Sequence, residues 1–427
     1  MIKKKSQLSL FLFGTFLFGY GVLQSISIDP NYNIVSSAFE IFIKIASPVF
    51  ASILIFTLYK AFENYQLMKG FLAYFLFFSI SIASFFGLTS VLTGSHATST
   101  NPYIYGLSFY TAYFAFQIIN KKIKSYSIYI AANPLLLFTG PIAVIFSSLS
   151  YKSFVNRLNY FLPFFIVGFF FFKIVAVPLT EFFWMLDVTS SIEVFIFGII
   201  FELFIYFNFC GLSLIIYSIF GVFGVRIPLN FKQPFSSKNV IEFWRGWHRS
   251  LSSVLRALFY IPAKKYFTTP VALFAVYISS ALWHGVTVNF FIWGAFHAIC
   301  FISTIKLLKF NFIRTSTLLM FFAIVYGRVL FADSNTERLF EKLIPNIGAP
   351  MHTLDMLITN TPLSSFIALF FAVAIVMSEF FFQDKKYFKK RNYKFFRLRY
   401  PQFIMVIIFI LLIGSSSGID YAAYGQR

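Results

Sequence analysis

Residues 190–224 read SSIEVFIFGIIFELFIYFNFCGLSLIIYSIFGVFG, one unbroken and overwhelmingly apolar run. A helix crosses a bilayer with about 20 mainly apolar residues, so this run is long enough to span one. Working outward, comparable runs lie near 8–24, 34–59, 70–92, 103–119, 126–149, 160–178, 270–283, 286–308, 314–332, 363–383 and 401–417. Several are short or carry Pro and Gly, as at Asn133-Pro134 and Gly140-Pro141. Irregular backbone at membrane depth is tolerated only where protein or a cavity surrounds it. The expected fold is therefore an all-α polytopic membrane protein. Its single membrane-embedded domain covers 1–427 and holds roughly 10 to 13 transmembrane or re-entrant helices. No internal repeat and no matching pair of broken helices appears in the two halves, which weighs against a secondary transporter.

Composition agrees. The 427 residues are 59% hydrophobic, 22% aromatic and only 12% charged, with a mean hydropathy of +0.78. Soluble domains carry roughly 25% charged residues, so a soluble globular enzyme, a disordered chain and a disulfide-rich secreted scaffold are all excluded. Thirty-five Lys and Arg against fifteen Asp and Glu give a net charge of +20. These cations gather beside or between apolar runs, at Lys3 to Lys5, Lys121 to Lys124 and Lys385 to Arg399. The positive-inside rule distributes them so. With no stacking or groove-reading motif beside them, they mark topology and not nucleic-acid binding. The stretch 384–399 reads as a cytoplasmic loop against anionic lipid. Met1 to Lys5 is basic and Leu8 to Val22 apolar, with no small-x-small cleavage site after them. That pattern reads as a first span whose start is cytoplasmic. Cys210 and Cys300, the two cysteines, lie in apolar surroundings and imply neither a disulfide framework nor a zinc site.

The segment Ser236 to Phe267 is different. It reads SSKNVIEFWRGWHRSLSSVLRALFYIPAKKYF. On a helix, Val240, Phe243, Trp244, Trp247, Leu251, Val254, Leu255 and Leu258 fall within an arc of about 120°, with Arg245, Arg249 and Arg256 opposite. Such a helix, near 238–260, is expected to lie in the membrane interface. His248 falls at the edge of the apolar arc and is expected to point inward.

The five histidines are His96, His248, His284, His297 and His352. His284 stands in ISSALWHGVTVNFFIWGAFHAICF, an almost uncharged stretch. An ionisable side chain at membrane depth is costly and marks a functional candidate. Burial keeps an imidazole neutral, the form a general base needs. A structural histidine bridging helices fits the same composition, and both readings stay open. Gly285 beside it admits a close approach. His297 lies about 220° further round a continuous helix and reads as a packing residue. No two histidines have metal-ligand spacing, so no metal is expected. Gly414 to Gly418 matches G-x-S-x-G but follows a membrane span instead of a sheet strand, which removes Ser416 as a nucleophile.

Four elements in order carry a resemblance: FGVRIPLNFKQPF (223–235), IEFWRGWHRSLSSVLRALFYIP (241–262), ALWHG (281–285) and FFIWGAFHA (290–298). LLFTGPI (136–142), YFNFCG (206–211) and YGRVLFADS (326–334) support it. Together they resemble the membrane-bound O-acyltransferase (MBOAT) family, most strongly over about 200–335 and most like its bacterial branch. The resemblance implies helices around a central tunnel, in which donor and acceptor meet at a histidine. It gives His284 the catalytic role and makes His248 a second functional histidine. Trp244, Arg245, Trp247, Trp283 and Asn208 become candidates for substrate binding. It further implies no bound cofactor and a thioester co-substrate, acetyl-CoA or a carrier-protein thioester. The acceptor would be an envelope polysaccharide, with a periplasmic acyl-relay or esterase-like partner, at the bacterial cytoplasmic membrane. Two departures leave the substrate open: Asn208-Phe209-Cys210-Gly211-Leu212 replaces a run richer in hydroxyls, and AKKYF follows Pro262. D-alanyl or longer-chain transfer remains an alternative. From another class, so does a transporter or flippase for lipid-linked sugars.

Overall fold

A computed structural model describes residues 148–149, 153–284, 287–333, 335–344 and 354–381. The expected spans before these residues and after them, Lys121 to Lys124, LLFTGPI, His96, Gly285, His352, the loop 384–399 and Ser416 lie outside the described residues. So do the full count of spans and the N-terminal orientation. What is described is almost wholly helical. Among the described residues the strands are β1 (Ser148–Leu149) and β2 (Val225–Arg226), paired antiparallel.

Among the described residues, five helices are long and apolar enough to cross a membrane. They are α1 (Phe154–Asp187), α2 (Ser191–Val222), α7 (Val288–Lys309), α8 (Ile313–Ala332) and α11 (Leu363–Phe381). Between α2 and α7 lie α3 (Val240–Gly246), α4 (Arg249–Leu255), α5 (Ile261–Tyr266) and α6 (Thr269–His284). Two short helices, α9 (Thr336–Leu343) and α10 (Leu354–Asn360), separate α8 from α11. Large apolar side chains such as Leu318, Phe322, Phe370 and Phe381 are exposed, as lipid-facing residues are and as a water-facing surface rarely allows.

The apolar runs at 270–283, 286–308, 314–332 and 363–383 become α6, α7, α8 and α11 within a few residues. The run at 160–178 is exceeded, because α1 continues past Pro178. A proline lacks the N–H that a helix needs. Here the helix widens first, through a π-helical stretch at Phe170–Ala176, and Val177 donates its N–H back to the Phe172 carbonyl. It then runs on and tightens to a 3-10 helix at Thr180–Asp187.

The chain divides into two compact units. Of the described residues, the first holds those up to Arg157 with Phe220–Pro228 and 250–284. In it, Arg157 Nε donates to the Val222 carbonyl at 2.8 Å, and α6 packs on the π-helical stretch Arg256–Tyr260 and on α5. The second holds Leu158–Ile219, Leu229–Arg249 and the described residues from 287 onward. There α2 is apolar on all sides, as a helix surrounded by others must be. Small residues let its neighbours approach. A Cβ on Gly168 of α1 would lie 2.7 Å from the Gly211 carbonyl oxygen of α2, and one on Gly211 2.6 Å from that of Gly168. Further up α2, Gly198 meets Val325 and Val329 of α8.

One expectation is corrected. The single helix near 238–260 is broken at Trp247 and His248. His248 has φ 38°, in the left-handed region that a non-glycine residue seldom enters. The cause is tertiary: the segment Asn230–Lys232 docks across the break. Lys232 N–H donates to the Gly246 carbonyl and Arg249 N–H to the Asn230 carbonyl, both at 2.8 Å. A Cβ on Gly246 would stand 2.8 Å from the Lys232 carbonyl oxygen, so only glycine admits the approach. The amphipathic faces survive the break, with Phe243, Trp247, Leu251, Val254 and Leu258 buried and Arg245, Arg249 and Arg256 exposed.

Candidate active site

The Trp244 to His248 element belongs to the second unit. Asn239 caps α3, its side-chain oxygen accepting the Glu242 N–H at 3.0 Å. The helix then packs against α7 and α8, and each tryptophan meets a different part of that pair.

Trp244 stands perpendicular to the His297 ring, with centroids 5.1 Å apart, and edge-on to Trp293 at 6.2 Å. His297 is buried, and its imidazole fills the space over Gly327 where any Cβ would collide with Nε2. His297 is thus packed between Trp244 and the backbone at Gly327. Trp247 is deeper. It stacks on Phe243 at 5.3 Å and touches Phe231 and Tyr206 at 5.1 and 5.8 Å. The Arg328 guanidinium lies over its ring, 4.9 Å from the centroid. Neighbouring residues of α8, Gly327 and Arg328, thus seat the two tryptophans, one through His297 and one directly.

His248 follows Trp247 into the interior, with its Nε2 buried. Phe231 and Phe209 lie 6.1 and 6.2 Å from its ring. Burial pulls its imidazole down to about 4, against a smaller opposing contribution from a backbone hydrogen bond. At neutral pH it is therefore an uncharged hydrogen-bonding group. Asn230, whose carbonyl holds the turn, is itself fixed by Ser213 of α2 at 3.2 Å.

Other expected residues fall elsewhere. Arg245 is exposed on the far side of α3, away from Trp244 and Trp247. Asn208 is buried on α2, but about 200° round the helix from Tyr206, off the face that meets Trp247. His284 and Trp283 lie in the first unit. His284 is the last residue of α6 with its Nδ1 buried, and its ring stands edge-on to Trp283 at 4.6 Å.

Two buried carboxylates escaped the sequence reading. Glu202 pairs with Arg328, and Glu379 of α11 accepts the Tyr206 hydroxyl at 2.5 Å. Both pairs reach Trp247, through Arg328 and through the Tyr206 ring. The signal was available, since each is an ionisable residue inside an apolar run. Just past the C-terminus of α8, Asp333 accepts from Arg338 at 2.7 Å and Lys342 at 2.6 Å. Burial alone raises a carboxyl, but those hydrogen bonds and charges hold Asp333 below its ordinary range. Among the described residues no cluster of His, Cys, Asp and Glu has the form of a metal site.

No family model matches the chain. It is 38% identical to the probable alginate O-acetylase of Pseudomonas syringae pv. tomato over 142 residues, 31% of this chain and 27% of the relative. It is 29% identical to the teichoic acid D-alanyltransferase of Bacillus subtilis over 110 residues, 23% of this chain and 28% of that one. It is 34% identical to the peptidoglycan O-acetyltransferase of Helicobacter pylori over 99 residues, 22% and 19% of the two. The matches thus cover between 19% and 28% of these relatives' lengths. All three are members of the membrane-bound O-acyltransferase family, and the resemblance read from the motifs stands.

Proposed function

We propose that the chain is an O-acyltransferase of the bacterial cytoplasmic membrane. It moves an acyl group, acetyl before D-alanyl or a longer chain, from a thioester to hydroxyls of an envelope or extracellular polysaccharide. Delivery is direct or through a periplasmic relay. The observation that carries the reading is the Trp244 to His248 element, which ends in a buried, strained turn at Trp247 and His248, in a chain whose relatives are named for acyl transfer. Strain of this kind persists where surrounding structure over-determines it and clusters at functional sites.

In the mechanism, the acceptor hydroxyl oxygen attacks the thioester carbonyl carbon while His284 takes its proton. The tetrahedral intermediate collapses with loss of the thiolate, which recovers that proton, leaving an ester and a free thiol. His284 ends α6, and the partial negative charge at a helix C-terminus favours an imidazolium as it forms. A neutral His248 orients a substrate by hydrogen bonding. Positioning two substrates together supplies effective concentration, and fixed donors near the oxyanion lower the barrier further.

Inverted membrane vesicles containing the chain are supplied with labelled acetyl-CoA or labelled D-alanyl carrier-protein thioester. The reading predicts base-labile label on polysaccharide, and a loss of roughly 100-fold or more with His284→Ala, the scale of a general base. Movement of labelled lipid-linked sugar with no acyl donor, and no ester from either thioester, would instead establish the transporter.

A further inference from the structure

Arg328 and Glu202 form an ion pair inside the second unit, between α8 and α2, and Arg328 is only 6% exposed. Taking two charges out of water is costly, and a well-packed apolar pair of the same volume is often as stable or more so. Retaining such a pair within membrane spans calls for a use other than adhesion, and its geometry indicates one.

Arginine holds a carboxylate best as a fork, through two parallel N–H donors. Here Nε donates to Glu202 Oε2, and among the described residues the buried Glu202 Oε1 has no hydrogen-bond partner. What the guanidinium gains by forgoing the fork is the face of Trp247, 4.9 Å from its carbon, with the Phe331 ring 5.7 Å away. A cation over an indole is attracted by the ring quadrupole, most strongly where water is excluded. Trp247 is the residue before His248, whose φ of 38° is stable only while its neighbours are held.

We infer that Arg328 is a positioning residue: oriented by Glu202, it clamps Trp247 and thereby fixes the left-handed turn that presents His248. The kinetic consequence rests on the acyl-transfer reading, whereas the clamp itself does not. Phe243 and Tyr206 hold other sides of the same indole, so removing the cation keeps Trp247 packed but releases the face that Arg328 covers.

The test is carbethoxylation of the full-length protein in detergent by diethyl pyrocarbonate at neutral pH, read histidine by histidine with mass spectrometry, alongside acyl transfer. The Glu202→Leu/Arg328→Met double variant removes both charges together and is expected to insert at wild-type abundance. His248 in it is expected to react at least fivefold faster while His297 stays protected, and kcat is expected to fall about tenfold or more. Arg328→Lys keeps a cation facing Glu202 without the planar stack. It is expected to show the same change at His248, and it covers the case in which the double variant fails to insert. Unchanged reactivity of His248 in both variants overturns the clamp. Faster reaction at His248 in a protein that moves no acyl group supports the clamp and defeats the acyl-transfer reading alone.

Discussion

Gly327 and His248 are the two residues whose geometry leaves least room for substitution. Alanine normally favours a helix over glycine by about 1 kcal/mol, yet at Gly327 its Cβ would meet the His297 ring. Gly327→Ala is therefore expected to destabilise the protein by roughly 1–3 kcal/mol, the usual scale of overpacking. Adding His297→Ala is expected to relieve most of that loss in the same thermal melt. His248 makes stability depend on pH. Its imidazole protonates near 4 in the folded chain and near 6.5 when unfolded. The unfolded state therefore takes up the proton first on acidification. Stability that is complete above about 6.5 is lost as pH falls towards about 4. Relative to His248→Gln, which cannot titrate, the melting temperature of the wild-type chain is expected to drop across that window; a constant difference would place His248 in water. Sequence singled out His248 and His284 because both stand in motif elements. It missed Glu202 and Glu379 because their partners, Arg328 and Tyr206, are 126 and 173 residues away.

Among the helices, apolar length alone placed α2, α7, α8 and α11 to within a few residues, since a bilayer imposes a fixed minimum on each span. It did not foresee that α1 passes Pro178 by widening, or that the segment after Asn239 breaks at Trp247. The periodicity of 240–258 is helical on both sides of that break, and only the docking of Asn230–Lys232 reveals it. Interhelical approach was equally hidden, because a glycine in an apolar run shows nothing of what crosses it. Gly211 is one such case, with the Gly168 carbonyl 2.6 Å from its virtual Cβ. Gly211→Val is expected to force α1 and α2 apart. The fraction of protein surviving a denaturant titration in detergent should then shift to lower denaturant, whereas Val at an exposed lipid-facing position should leave it unchanged.

Across the second unit, charge is divided between the two ends of its spans. Lys306, Lys309 and Arg314 flank the turn between α7 and α8. At the opposite end Asp187 joins Arg338 beside Glu337 and Glu341. By the positive-inside rule, the end bearing Lys306, Lys309 and Arg314 is expected to face the cytoplasm. With Cys210 and Cys300 replaced, an impermeant maleimide is expected to label Lys309→Cys only in inverted vesicles and Glu337→Cys only in intact spheroplasts. The central claim, acyl transfer through His284, is tested most directly by base-labile acyl ester on envelope polymers. Wild type, a deletion strain and the deletion complemented with His284→Ala at equal membrane abundance are compared by mass spectrometry of the released acids. The account predicts that one acid is lost in the deletion and stays lost with His284→Ala. Full restoration of that acid by His284→Ala would contradict it.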